Sequence, residues 1–279
     1  MRANTNLYPD FLIIGAMKAG TTTLYRDLYD HSGVFLPEDK EPNSLAYDNV
    51  LTREGTKHYR AMFSGAKKGQ LIGEASTCYS KAPFYGDVPS RAFSLCGGDL
   101  KIIYVVREPF DRMVSQYRFE KLQGLESRSI DSAILEDHKY VVSSSYHSQL
   151  EAWSKVFGRE NIFCLNFEWY IENRELALLE IARFLKLDPS FGYLDQDSKF
   201  NTSEGNRLLI GFWGWLLTTS FYSRYIRPLI SWKLRNFLAN VFMHKAAAEK
   251  ECISAVLREQ ACAKLSSEDW KVYSESYKG

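Results

Sequence analysis

The stretch FLIIGAMKAGTTTL, Phe11 to Leu24, joins an apolar strand to a glycine-bounded loop that carries a lysine, and then to threonines that can open a helix. Gly15 and Gly20 let the backbone turn tightly, so that the N–H groups of residues such as Ala19 and the positive end of the next helix converge on an anion. Lys18 adds a full charge, and Thr21, Thr22 and Thr23 add hydroxyl donors. The phosphate loop of nucleotide triphosphatases reads G-x-x-x-x-G-K-[ST]; here Thr21 follows Gly20, and the lysine has moved to position 18. That displacement speaks against an ordinary ATP site.

A second segment, KIIYVVREPFDRMVSQYRF from Lys101 to Phe119, extends the reading. Ile102 to Val106 form a β-branched, nearly continuous apolar run suited to a buried parallel strand. Arg107 follows at its carboxyl end, where open α/β sheets bind ligands, and can clamp a phosphate in bidentate fashion. Ser115 lies about two turns into a helix that starts near Pro109. Nucleotide kinases and GTPases usually place a magnesium-binding aspartate after such a strand. An arginine here points to anion binding without a metal.

These two segments resemble those of the sulfotransferases that use 3′-phosphoadenosine 5′-phosphosulfate (PAPS). In that family the first loop, here GAMKAGTTT, holds the 5′-phosphosulfate, and the second, here VVREPFDRMVSQY, gives an arginine and a serine to the 3′-phosphate. GEAST at Gly73 to Thr77 resembles the family's third strand end. KFNTSEGNR at Lys199 to Arg207 resembles the late loop that closes over the nucleotide, and so implies roles for Thr202, Ser203 and Arg207. The segment from Tyr146 to Leu187 has the family's helix, strand, helix rhythm. The resemblance covers roughly residues 9 to 207. It implies a P-loop-like parallel β-sheet flanked by helices, PAPS as co-substrate, adenosine 3′,5′-bisphosphate as product and no metal.

The reaction so implied moves a sulfuryl group onto a hydroxyl or amine of a carbohydrate or small polar acceptor. Lys18 and the loop N–H groups can stabilise the departing phosphate oxygen. For the proton, the best-placed carboxylate is Glu41, in LPEDKEPNSLAYD, which resembles the lysine-glutamate pair holding the base in carbohydrate sulfotransferases. Pro42, Asn43, Ser44 and Leu45 follow it, where those relatives have a histidine and aromatics. Glu74 and His147 are the alternatives for the base.

Composition agrees with one large α/β domain. The chain has 279 residues, 45% of them hydrophobic, enough for a nucleotide-binding core over 1–207 and a helical C-terminal extension over 208–279. Net charge is only +1, which excludes the basic excess of a nucleic-acid binder. The five cysteines, Cys78, Cys96, Cys164, Cys252 and Cys262, form no C-x-x-C pair and read as reduced thiols of a cytoplasmic protein. None of the five histidines has metal-ligand spacing. The N-terminus offers no signal peptide or transmembrane anchor, unlike the anchored Golgi sulfotransferases of animals, so a soluble, microbial-like member is expected.

Strands are expected at Phe11 to Ile14, Val34 to Leu36, Leu71 to Gly73, Ile102 to Val106 and Ile162 to Asn166. Helices are expected at Thr22 to His31, Pro109 to Leu122, Tyr146 to Phe157, Glu172 to Leu185 and Ala246 to Leu265. Strands alternating with helices imply a mostly parallel sheet. Gln123 to Ser145 is polar and weakly periodic, and reads as a loop or lid near the acceptor. Leu208 to Tyr222 is uncharged and aromatic but short for a membrane span, and reads as a buried helix or a cleft wall. The basic stretch from Arg224 to Lys245 suits a membrane interface, a partner subunit or an anionic acceptor equally. The tail with Trp270 and Tyr273 is expected to pack back on the body. The competing functions are a P-loop kinase of small molecules and a non-catalytic, membrane-peripheral nucleotide-binding adaptor.

Overall fold

The computed structural model describes residues 7–189, 207–209, 243–245 and 253–278. Five parallel strands form one sheet: β1 (Phe11–Gly15), β2 (Val34–Phe35), β3 (Leu71–Ala75), β4 (Lys101–Val106) and β5 (Ile162–Asn166), in the order β2-β3-β1-β4-β5. Phe11 to Ile14 and Ile102 to Val106 are fully buried. Such unbroken apolar runs are what a parallel strand needs when helices cover both faces. β1 lies between β3 and β4, with Leu12 opposite Glu74 on one side and Ile102 on the other. The chain leaves β1 toward β3 and later crosses to β4, so the strand order reverses at the carboxyl ends of β1 and β4.

The helices are α1 (Thr21–Tyr29), α2 (Arg53–Ala61), α3 (Val88–Cys96), α4 (Pro109–Leu122), α5 (Ile130–Glu136), α6 (His138–Val142), α7 (Tyr146–Phe157), α8 (Phe167–Glu172) and α9 (Arg174–Leu185). α10 (Ala255–Cys262) and α11 (Ser267–Ser274) follow a short antiparallel pair, β6 (Arg207–Leu209) with β7 (Met243–Lys245). α4 begins with Pro109, and the Glu108 side chain accepts from the Asp111 N–H at 2.7 Å. α8 is capped by Asn166, which accepts from the Trp169 N–H at 3.0 Å. Both starts follow the rules for helix N-termini. Among the described residues, no helix is long and apolar enough to cross a membrane.

The structure corrects the expected elements in several places. Gln123 to Ser145 is not a loop; it contains α5 and α6. Ile130, Ala133, Ile134, Tyr140 and Val141 are buried against Phe110, Met113 and Tyr117 of α4 and Leu257 and Ala261 of α10. The polar residues that hid this pattern pair among themselves. Arg128 bridges Glu126 and Asp137 at 2.6 and 2.9 Å, and Lys139 meets Glu120 at 2.9 Å. The helix expected from Glu172 to Leu185 starts two residues later, as α9; Glu172 ends the separate α8, where Asn173 leaves helical geometry and its side chain donates to the Trp169 carbonyl. α1 stops at Tyr29, β2 stops at Phe35, and β3 runs on to Ala75. α2 and α3 were not foreseen. Of the helix expected over Ala246 to Leu265, residues 246–252 lie outside the described ones, and α10 covers the rest. Most of Leu208 to Tyr222 and of the basic stretch after it also lies outside them.

The tail does pack back. Tyr277 pairs with the β5 edge: its N–H donates to the Cys164 carbonyl at 2.9 Å, and its carbonyl accepts from Asn166 at 3.2 Å. Asp269 of α11 accepts from the His147 N–H at 2.9 Å.

At the centre of the sheet, Glu74 is fully buried. Tyr59 and Tyr79 donate to it at 2.6 Å and Ser76 at 2.8 Å. Burial holds its carboxyl above the usual range, opposed by those three bonds. The group ties α2, β3 and the following turn into one unit. Glu74→Leu strips three buried hydroxyls of their acceptor, each worth about 1–3 kcal/mol when left unsatisfied. The expected loss is therefore at least ~3 kcal/mol of unfolding free energy in urea, and an unchanged midpoint would show the network to be dispensable.

Candidate active site

The chain leaves β1 through Gly15 at φ 148°, where an added Cβ would lie 2.0 Å from the Ser80 hydroxyl. Lys18 and Gly20 also have positive φ, 68° and 79°. The resulting loop curls back toward β4: the Ala16 N–H donates to the Val105 carbonyl at 2.6 Å, and Ala19 to Ala16 at 3.1 Å. α1 then starts at Thr21 with no side-chain cap and no acidic residue in its first turn. Unlike α4 and α8, its positive end carries no side-chain acceptor. Thr21 and Thr23 are buried, and Thr22 is half-buried.

The structure brings the two sequence segments together. Arg107 donates to the Lys18 carbonyl at 3.2 Å, and Arg112 to the Met17 carbonyl at 3.3 Å. The Arg107 guanidinium stacks on the Phe167 ring at 5.0 Å. Its Nε is buried with no partner among the described residues. Glu108 and Asp111, the carboxylates next to it in sequence, face Arg258 at 3.1 and 4.0 Å. Tyr146 fixes the Arg107 peptide, donating to its carbonyl at 2.6 Å. Ser115 is half-buried on α4, four residues before Phe119, so the two share a helix face. The Lys18 ammonium lies 4.4 Å from the Phe119 ring centre. Burial, then Arg107, lower the Lys18 pKa to about 8; Glu41 acts in the opposite sense.

Glu41 reaches the same sheet edge from the β2 side. Its N–H donates to the Ala75 carbonyl at 2.9 Å, at φ 62°. Lys40 donates to Oε1 at 2.6 Å and Thr77 to Oε2 at 3.2 Å, while 39% of the side chain remains exposed. The carboxylate is thus oriented and still accessible. The two alternatives for the base are placed differently: Glu74 is sealed in its hydroxyl network, and His147 is exposed on the first turn of α7. Thr202 and Ser203 lie outside the described residues, and Arg207 is placed only by its backbone in β6.

Thr77, Phe119, Tyr146 and Phe167 were missed in the sequence. Phe167 had a readable signal, since it directly follows β5 and must therefore stand at the carboxyl edge. The others act through packing or single bonds that leave no motif.

A family model described as a sulfotransferase domain matches residues 83–208, a span that includes the Arg107 segment. Over that span the chain is similar to the sulfotransferase domain family. It is 27% identical over 210 residues to mouse (Mus musculus) heparan sulfate glucosamine 3-O-sulfotransferase 5, covering 71% of this chain and 58% of the relative. It is 34% identical over 116 residues to the Dictyostelium discoideum membrane-associated sulfotransferase kil1, covering 40% of this chain and 23% of the relative. The chain thus spans less than two thirds of the length of either relative. A sulfotransferase from Alicyclobacillus acidocaldarius has the same fold, with a TM-score of 0.60, 21% identity, and coverage of 95% of this chain and 99% of that one.

The loop and the Arg107 platform meet at Gly20, where an added Cβ would approach the Phe167 ring to 2.6 Å. Gly20→Ala is expected to lower unfolding free energy by about 1–3 kcal/mol, from the positive φ and the clash together. Combined with Phe167→Ala the loss should be less than additive, because the clash is gone. Strict additivity of the two in denaturant titrations would show that ring and loop are not in contact.

Proposed function

We propose that this chain is a sulfotransferase that moves the sulfuryl group of PAPS to a hydroxyl, or an amine, of a carbohydrate or small polar acceptor. The observation that carries the proposal is the Arg107 to Lys18 contact, which joins two anion-binding segments in the crevice between β1 and β4. PAPS would supply an activated sulfuryl group on its 5′-phosphate and would leave as adenosine 3′,5′-bisphosphate. The N–H group of Gly20 and the hydroxyls of Thr21, Thr22 and Thr23 hold the 5′-phosphate at the uncapped start of α1, where the Ala19 N–H, bonded to the Ala16 carbonyl, shapes the loop. Arg107 and Ser115 hold the 3′-phosphate. Thr202, Ser203 and Arg207 are assigned to nucleotide binding as well.

Lys18 neutralises charge as it develops on the oxygen between phosphorus and sulfur. Glu41 takes the proton of the acceptor hydroxyl as that oxygen bonds to sulfur and the sulfur–oxygen bond to the phosphate breaks. The name of the mouse relative, which concerns a heparan sulfate glucosamine, favours a carbohydrate acceptor. We assign the chain to one domain, with a core over 1–207 and an extension over 208–279; the packing of α10 on α4 and α5 supports that division. The unpaired Cys78, Cys96, Cys164 and Cys262 favour the cytoplasm.

Thermal shift tests the donor. Adenosine 3′,5′-bisphosphate should raise the melting temperature equally with and without a chelator. Stabilisation by ATP with magnesium alone would overturn the reading. Glu41→Gln should bind the bisphosphate as the wild type does and transfer about 10²–10⁴-fold more slowly; near-normal turnover would remove Glu41 from the role of base.

The pH dependence tests Lys18. An ammonium with a pKa of about 8 is charged below that value, and a bound anion raises its pKa, so binding above pH 8 takes up a proton. Bisphosphate affinity should be level below pH 8 and then fall by up to about tenfold per unit as pH rises. Lys18→Arg should abolish that fall, because a guanidinium stays charged throughout. A fall that persists in Lys18→Arg would assign it to another group.

A further inference from the structure

Lys81 follows the short turn Thr77–Ser80 that carries the chain off β3. Its backbone is fixed from several directions. Tyr79 donates to Glu74, buried Trp153 donates to the Tyr79 carbonyl at 3.2 Å, and buried Gln149 clasps Ala82 through two bonds of 2.9 Å. So held, the largely buried side chain reaches the anion loop, with Nζ 3.0 Å from the Met17 Sδ. A thioether is a weak acceptor, and no carboxylate among the described residues makes an ion pair with this ammonium. Burial lowers its pKa, Glu41 is the charge that most opposes this, and Arg112 adds to the lowering. A cation withdrawn from water with so weak a partner gains most from an incoming anion.

The sheet order says which anion. Arg107 follows β4, on one side of the β1 loop, and marks the nucleotide. The turn bearing Lys81 follows β3, on the other side. That turn also supports the base: Thr77 donates to Glu41, and the Cys78 Sγ lies 2.9 Å from the Asn43 Oδ1, two residues beyond Glu41. Lys81 therefore shares its supporting turn with Glu41, whereas Arg107 stands at the end of β4. We infer that Lys81 receives a carboxylate or sulfate of the acceptor, next to the hydroxyl that Glu41 deprotonates, and so selects anionic acceptors. This inference rests on the assignment of Glu41 and of the nucleotide crevice given above.

The test is calorimetric titration of the full chain with three probes: a hexasaccharide carrying sulfate and carboxylate groups, its desulfated and carboxyl-reduced counterpart, and adenosine 3′,5′-bisphosphate. The wild type should prefer the anionic saccharide. Lys81→Met should weaken that saccharide about tenfold or more and leave the other two probes within about twofold; Lys81→Arg should keep the preference. Lys81→Gln serves if the methionine variant does not fold. The inference is overturned if the wild type shows no preference, if both saccharides weaken alike, or if the bisphosphate weakens as much as the anionic saccharide. Absence of bisphosphate binding in every protein would instead sink the donor assignment, while the saccharide comparison still reads Lys81.

Discussion

The constraint on which the rest depends is the exit from β1. Strands on both edges and helices on both faces leave the chain one way out, through Gly15, where the Ser80 hydroxyl occupies the place of a Cβ. The backbone must then curl at positive φ through Lys18 and Gly20. That curl hands the Met17 and Lys18 carbonyls to Arg112 and Arg107, and leaves the start of α1 uncapped. The proposed anion site is a by-product of how a fully buried central strand ends. The side chains refine a site that the backbone has already made.

Charge tells a similar story at another scale. A chain with a net charge of only +1 gathers Lys18, Lys40 and Lys81 near Glu41, and Arg107 beside Lys18. Each cation stands on a different support: the curled loop, the β2 connection, the turn after β3, and the end of β4. The lowered pKa of Lys18 comes first from burial and then from the repulsion of Arg107. A multiply charged anion placed there would offset both effects.

The legible parts of the sequence were those where local chemistry and tertiary role coincide. β1, β4 and β5 are continuous apolar runs, and α4 and α7 have the bounds that their caps and periodicity announce. Glu41 was readable beside Lys40, but the main-chain bond to Ala75 that seats it was not. α5 and α6 were missed because Glu126, Arg128, Asp137 and Lys139 read as a solvated run while they pair across a turn over a buried apolar face. Lys81 was missed for a related reason. Its neighbours come from the first loop, and only the strand order makes them neighbours.

The pairing of Tyr277 with β5 has a consequence for the order of events during synthesis. β5 is an outer strand, and its free edge is the kind of row to which another chain can add. The residue that covers it comes more than a hundred positions later. Until then that edge of the growing chain stays open, and the tail serves as the latch that covers it.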